Sequence, residues 1–113
     1  IPCLGILHGQ DDRGVFEALL NGVCERKEIR QVAFITWKGK KALEESLRQI
    51  EIKAKYEVLE NISKTPDMMK RAIQEDCLIL GIYLNQDKRS VVRQTLEELD
   101  ILESNILGYL LFD

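Results

Sequence analysis

The chain has one histidine, one tryptophan, two prolines and three cysteines among its 113 residues. With His8 as the single imidazole, no set of Cys, His and carboxylates falls at metal-ligand spacing, and no metal site is expected. Cys3, Cys24 and Cys77 are far apart, odd in number and flanked by apolar residues. That pattern is expected of small buried hydrophobes in a reducing compartment rather than of a disulfide framework. No local signature supports a nucleophilic cysteine paired with His8. No apolar run is long enough to cross a bilayer, and no signal-peptide pattern opens the chain. An excess of one charge is also missing. The 16 basic and 19 acidic residues are interspersed, giving a net charge of −3 and no field that predicts nucleic-acid or anionic-lipid binding.

What is present is a 45% hydrophobic composition arranged as five apolar runs separated by four helical patterns, enough for one domain with a real core. The run Leu4–His8 reads as a first strand, and Asp11 and Asp12 after it suit a helix start. Val15, Phe16, Leu19, Leu20, Val23 and Cys24 recur at helical spacing and predict one buried stripe. Gln31–Trp37 is near-continuously apolar, as expected of a strand covered on both faces. A very short turn, Lys38-Gly39, then leads to a helix with Ala42, Leu43, Leu47 and Ile50 inward.

The segment Lys55–Glu60 alternates polar and apolar residues and reads as a sheet edge. Thr65 precedes Pro66 as a capping hydroxyl before a first-turn proline, with Met68, Met69, Ala72 and Ile73 as the buried side of the helix. Leu78 to Leu84 is the most hydrophobic run and therefore central. The longest helical pattern follows, with Val91, Val92, Leu96, Leu99 and Leu102 as its stripe, and Asn105 to Asp113 closes the chain as a last strand. Alternating strands and helices with short connections predict a three-layer α/β/α sandwich, with a mainly parallel sheet of five strands, P-loop-like or Rossmann-like in topology.

Such sheets bind ligands at the carboxyl ends of their strands. The turn after Trp37 is the sharpest test, because a strand running into Gly-Lys is how a phosphate-binding loop is built. That loop needs Gly, four residues, then Gly-Lys-Ser/Thr, so that backbone N–H groups curl around the phosphates and the hydroxyl meets magnesium. Gly39-Lys40 stands for the final pair, but Lys41 occupies the hydroxyl position and the first glycine and spacer are missing. Thr36, Lys38, Gly39, Lys40 and Lys41 are thus expected as a vestigial phosphate loop, with no catalytic residue and no cofactor. Asp11 and Asp12 are similar to the acidic pair of receiver domains. The other receiver residues do not follow: the third strand ends near Glu60-Asn61, the fourth in Asn85-Gln86, and no lysine follows the fifth.

Several segments in order carry a resemblance. Ile1-Pro-Cys-Leu-Gly-Ile-Leu7 resembles the "lPvLGvIP" segment that joins the second transmembrane helix of bacterial polysaccharide chain-length determinants to their cytoplasmic tyrosine-kinase domain. The strand Val32 to Thr36 followed by Gly39-Lys40, the segment Asp76-Cys-Leu-Ile-Leu-Gly81, the helix Ser90 to Leu99 and Asn105-Ile-Leu-Gly-Tyr-Leu-Leu-Phe-Asp113 resemble that kinase domain's later elements. The resemblance implies a degenerate bacterial tyrosine-kinase-like domain of a Wzz-type protein, excised from a longer membrane-anchored chain and working at the cytoplasmic face of the membrane. Its implied partners are proteins of polysaccharide assembly. The family's oligomerisation charges, Glu-x-x-Arg-x-x-Arg, would fall on Gly14, Glu17 and Leu20, and the magnesium-binding Asp segments have no counterpart beyond Glu60. The expected function is therefore non-catalytic docking. The alternatives are a divergent phosphate- or nucleotide-binding enzyme using Thr36, Lys38, Lys40, Lys41 and Asp11/Asp12, or a receiver-like domain without its phosphoacceptor.

Overall fold

Apolar runs without alternation need cover on both faces, and the structure supplies it. The computed structural model describes residues 2–7 and 11–113, with the backbone alone at Asp11 and Asp12. Its elements alternate as β1 (Cys3–Leu7), α1 (Asp11–Arg26), β2 (Gln31–Thr36), α2 (Lys40–Arg48), β3 (Lys55–Glu60), α3 (Pro66–Ile73), β4 (Cys77–Tyr83), α4 (Arg89–Ile101) and β5 (Ile106–Phe112). A 3-10 turn, Ile62–Lys64, precedes α3. The five strands form one sheet in the order β1-β5-β4-β2-β3, and every neighbouring pair is parallel. The expected five-stranded α/β sandwich is what folds, with β4 in the middle and β3 at an edge. No helix among the described residues is long and apolar enough to cross a membrane.

Successive strand residues point to opposite faces, so each inner strand feeds two cores. Val32 and Phe34 of β2, with Cys77 and Ile79 of β4, pack against Phe16 and Leu20 of α1 and Leu43 and Leu47 of α2. Ala33 and Ile35, with Leu78 and Leu80, pack against Ala72 of α3 and Val92 and Leu99 of α4. Helices α1 and α2 thus cover one face and α3 and α4 the other. Because α2 leaves β2 toward one layer and α4 leaves β4 toward the other, the crevice between β2 and β4 is the switch point of the sheet. Receiver-type order is 2-1-3-4-5, with the first strand inside; here β1 is an edge. Counting cyclically from β2, with β1 last, turns the observed order into 2-1-3-4-5.

Several side-chain expectations are corrected. On α1, Val15 is 68% and Leu19 40% exposed, because the helix buries the narrower arc of Phe16, Leu20, Val23 and Cys24. On α4 the buried stripe is Val92, Thr95 and Leu99, spaced three and four residues apart. Val91 and Leu102 flank that arc and are exposed. Thr95 is tolerated inside because its Oγ1 accepts the Trp37 Nε1–H at 3.0 Å, lies 2.9 Å from Ser63 Oγ, and donates to the Val91 carbonyl at 3.4 Å. Ile73 is exposed at the end of the two-turn α3, whose buried residue is Ala72. Thr65 sits at the N-cap of α3 ahead of Pro66, but its hydroxyl makes no capping bond. Helix α1, at 16 residues, is longer than α4, at 13. Its stop is not a glycine: Glu28 takes the left-handed conformation (φ 55°), and Ile29 N–H returns to the Cys24 carbonyl at 2.9 Å.

Cys24 and Cys77 are buried as expected, whereas Cys3 on the edge strand is exposed. Burial raises the Cys24 thiol and pushes Cys77 up to about 12, so both stay protonated and unreactive at neutral pH.

At the amino edge of the sheet, Asp76 ties two strands together. Its Oδ2 accepts the N–H groups of Arg30 (2.8 Å) and Gln31 (3.0 Å), and its carbonyl accepts Asn105 Nδ2 (3.0 Å). The hydrogen bond from the Arg30 N–H, then that from Gln31, holds the Asp76 carboxyl below the usual range. A carboxylate lowered in the folded state stabilises above its unfolded pKa, and the contribution is lost as pH falls through the folded value. Asp76→Asn should therefore be less stable than the parent in urea unfolding at neutral pH. The difference should close in strong acid, where both side chains are uncharged.

Candidate functional site

The carboxyl edge at the switch point gathers residues from four strands on the α1/α2 side. Only Trp37, Lys38 and Gly39 separate β2 from α2. Thr36 and Glu60 are register partners at the ends of β2 and β3, so their side chains lie next to each other on one face. Tyr83 and Phe112, partners at the ends of β4 and β5, stack with ring centroids 5.0 Å apart at 54°.

These rings lie where a phosphate cradle would have to form. A β-carbon at Gly39 would overlap the Tyr83 ring and come within 2.7 Å of the Phe112 ring. Gly39 is required by this lack of space, since its φ of −108° is open to any residue. The turn is therefore pressed onto aromatic carbon, and its backbone cannot arch away from the strand ends to encircle an anion.

The first amide of α2 is also taken. The Lys40 N–H donates to Glu60 Oε2 at 3.3 Å, so a side-chain carboxylate sits where the helix's unpaired N–H groups and positive end would otherwise meet a ligand anion. A shallow cleft of about 460 Å³ remains outside, lined by Lys38, Lys40, Lys41, Glu60 and Tyr83. The structure thus brings Lys38, Gly39, Lys40 and Lys41 to one cleft, while Thr36 lies fully buried beneath. Thr36 Oγ1 makes no hydrogen bond. His8, Gly9 and Gln10 lie outside the described residues, as do the side chains of Asp11 and Asp12, so the acidic-pair expectation is not placed.

The loop after β4, Asn85 to Asp87, is one of the carboxyl-edge loops where the sequence places a ligand, and it adds a residue to which the sequence assigns no role. Asp87 Oδ2 accepts the Tyr83 N–H at 2.7 Å and its backbone N–H returns to the Tyr83 carbonyl at 3.1 Å, closing a turn around Asn85 (φ 64°). Its Oδ1 is buried and unpaired. Burial pushes the Asp87 carboxyl up, opposed by the Tyr83 N–H and by the charge of Lys38. The spacing from Tyr83 to Asp87 across an Asn was the available signal. Among the described residues no group of three or more His, Cys, Asp or Glu could hold a metal ion.

Chemically, the arrangement supplies lysines on an open surface, a carboxylate on the helix terminus and a hydroxyl without access. None of the three positions a transferable phosphoryl group. Two substitutions test this packing. Gly39→Ala should cost about 1–3 kcal/mol by overpacking, with part of the loss relieved when measured against Tyr83→Ala in a double-mutant cycle, since the Phe112 ring still crowds the new β-carbon. Thr36→Val, which removes an unsatisfied buried hydroxyl at constant shape, should gain on the order of 1 kcal/mol; a loss would mean that the hydroxyl has a partner in solution.

No protein-family model matches the chain, and no curated protein or solved structure matches it.

Proposed function

We propose that this chain is a non-catalytic docking domain, kinase-like in architecture, that works by protein contact in the control of polysaccharide chain length at the cytoplasmic face of a bacterial membrane. The observation that carries the non-catalytic part is the filled turn after β2. Gly39 is pressed against Tyr83 and Phe112, and Glu60 holds the first amide of α2. Phosphoryl transfer depends on backbone donors, a lysine and magnesium converging on the phosphates. Here one such donor, the Lys40 N–H, is already bonded to Glu60, and the turn before it is packed against aromatic rings. The assignment to polysaccharide assembly rests on the ordered resemblance of Asp76–Gly81, Ser90–Leu99 and Asn105–Asp113 to that family's kinase domain.

A phosphate-binding reading draws on the three lysines around the open cleft. The receiver-like reading is weaker. In the cyclic count that restores receiver order, the acidic-pair position falls on Lys38-Gly39 and the phosphoacceptor position on Leu84-Asn85, and neither carries a carboxylate.

Calorimetric titration with ATP and magnesium, and separately with inorganic phosphate, is expected to give no saturable binding up to millimolar ligand. Micromolar affinity for ATP that disappears in Lys40→Ala would overturn the docking reading. Weak phosphate binding abolished by the same change would move the function to the lysine cleft.

A further inference from the structure

The four helices start in two different ways. Helix α1 opens with Asp11-Asp12 in its sequence and α3 has Asp67 in its first turn, the choice that the positive end of a helix favours. Helices α2 and α4 have no acidic residue there and no capping bond from the side chain before them. They begin instead among cations: Lys38, Lys40 and Lys41 around the start of α2, Lys88 and Arg89 at that of α4. Basic side chains at this end oppose the helix dipole and repel one another, so local stability does not account for them. A departure of this kind from local preference is where a functional surface is expected.

These are the two helices that leave β2 and β4 on opposite faces, so their starts flank the crevice of the sheet from both layers. Lys38, Lys40, Lys41, Lys88 and Arg89 are all exposed, and among the described residues none of them forms an ion pair. The acids between them are engaged with backbone amides. Glu60 Oε2 takes the Lys40 N–H, and Asp87 Oδ2, in a carboxylate that feels the charge of Lys38, takes the Tyr83 N–H. The rest of the carboxyl edge does not share the basic excess. Lys64 and Asp67 offset each other at the start of α3, while Asp113 after β5 and Asp11, Asp12 and Arg13 after β1 make the far side acidic in sequence. With a net charge of −3 on the whole chain, the basic stretch is gathered by the fold and not by composition.

We infer that this basic crevice receives an acidic, extended segment of a partner protein, which rests on the docking reading and names the chemistry of what docks. With layers about 10 Å apart, the two helix starts lie roughly 20 Å from each other, a span that about six extended residues cover. A small anion needs donors that converge on it, and Glu60 and the ring-packed turn take that convergence away. A row of Asp and Glu side chains needs only cations at intervals, which lysines supply as mobile point charges. Single-stranded nucleic acid would want rings to stack on, whereas Tyr83 is stacked on Phe112 and Trp37 is buried. The phosphates of a duplex or of an anionic membrane would run past the crevice onto the acidic far side of the same edge.

Fluorescence anisotropy of a labelled hexaglutamate peptide with the 1–113 chain is expected to show saturable binding at low ionic strength that weakens as salt is added. Lys41→Glu on one lip and Arg89→Glu on the other should each weaken it by about fivefold or more. In urea unfolding neither variant should be less stable than the parent, because each change puts an acid at a helix start. Lys53→Glu, exposed on the connection between α2 and β3 at the opposite edge of the sheet, alters the net charge equally and should leave binding within about twofold of the parent. Absence of binding overturns the inference, as does a loss with Lys53→Glu that equals the loss at the lips, or a dependence on one lip alone. Tighter binding of a DNA oligonucleotide of equal charge, or of phosphatidylserine vesicles, also overturns it. ATP binding that disappears in Lys40→Ala strikes the docking reading itself, so the two failures are told apart.

Discussion

The structure depends on β4 being covered on both faces. A central parallel strand has no wet side, so its residues must be apolar in succession, and two helical layers must exist to receive them. Cys77 and Ile79 feed one layer, Leu78 and Leu80 the other, and all four are essentially inaccessible. Once both layers are required, the chain must change layers between the helices after β2 and β4. That change puts the crevice of the sheet beside the Trp37–Gly39 turn. The position of the candidate site is thus a consequence of core burial.

The same burial shapes the turn after β2. The core does not stop at the ends of the strands. Tyr83 and Phe112 carry it up to the carboxyl edge and press on Gly39. On the other layer Trp37 is anchored to Thr95, and Thr95 to Ser63, so the strand end, the 3-10 turn and α4 are joined through one hydroxyl. A turn held from both layers gains rigidity and loses the room that a ligand cradle requires. Glu60 completes the α2 terminus with a charge from within the chain.

Much of the architecture was legible because burial leaves a local signature. The runs Val32–Thr36 and Cys77–Gly81 are unbroken, and the alternation of Lys55–Glu60 marked an edge before any strand order was known. The helices were harder to read. On α1, apolar residues at 15, 16, 19, 20 and 23 cover more arc than one contact needs, and spacing alone does not say which flank faces solvent. On α4, Thr95 lies at the centre of the buried arc but looks polar, and its partners Trp37 and Ser63 are more than thirty residues away. The end of α1 carried no glycine signal because Glu28 takes the left-handed conformation that glycine usually takes.

The sequence by itself determined the element order, the mainly parallel sheet, β4 as the central strand and β3 as an edge, and the shortness of the Gly-Lys turn. Each follows from hydrophobic period and run length, which are properties of neighbouring residues. Only the tertiary structure decided what fills that turn. Residues 39, 60, 83 and 112 meet there because the sheet order is β1-β5-β4-β2-β3, and no local pattern encodes which strand lies beside which. The same order set β1 at one edge, where Leu4 and Leu7 face the core while Ile6 is exposed.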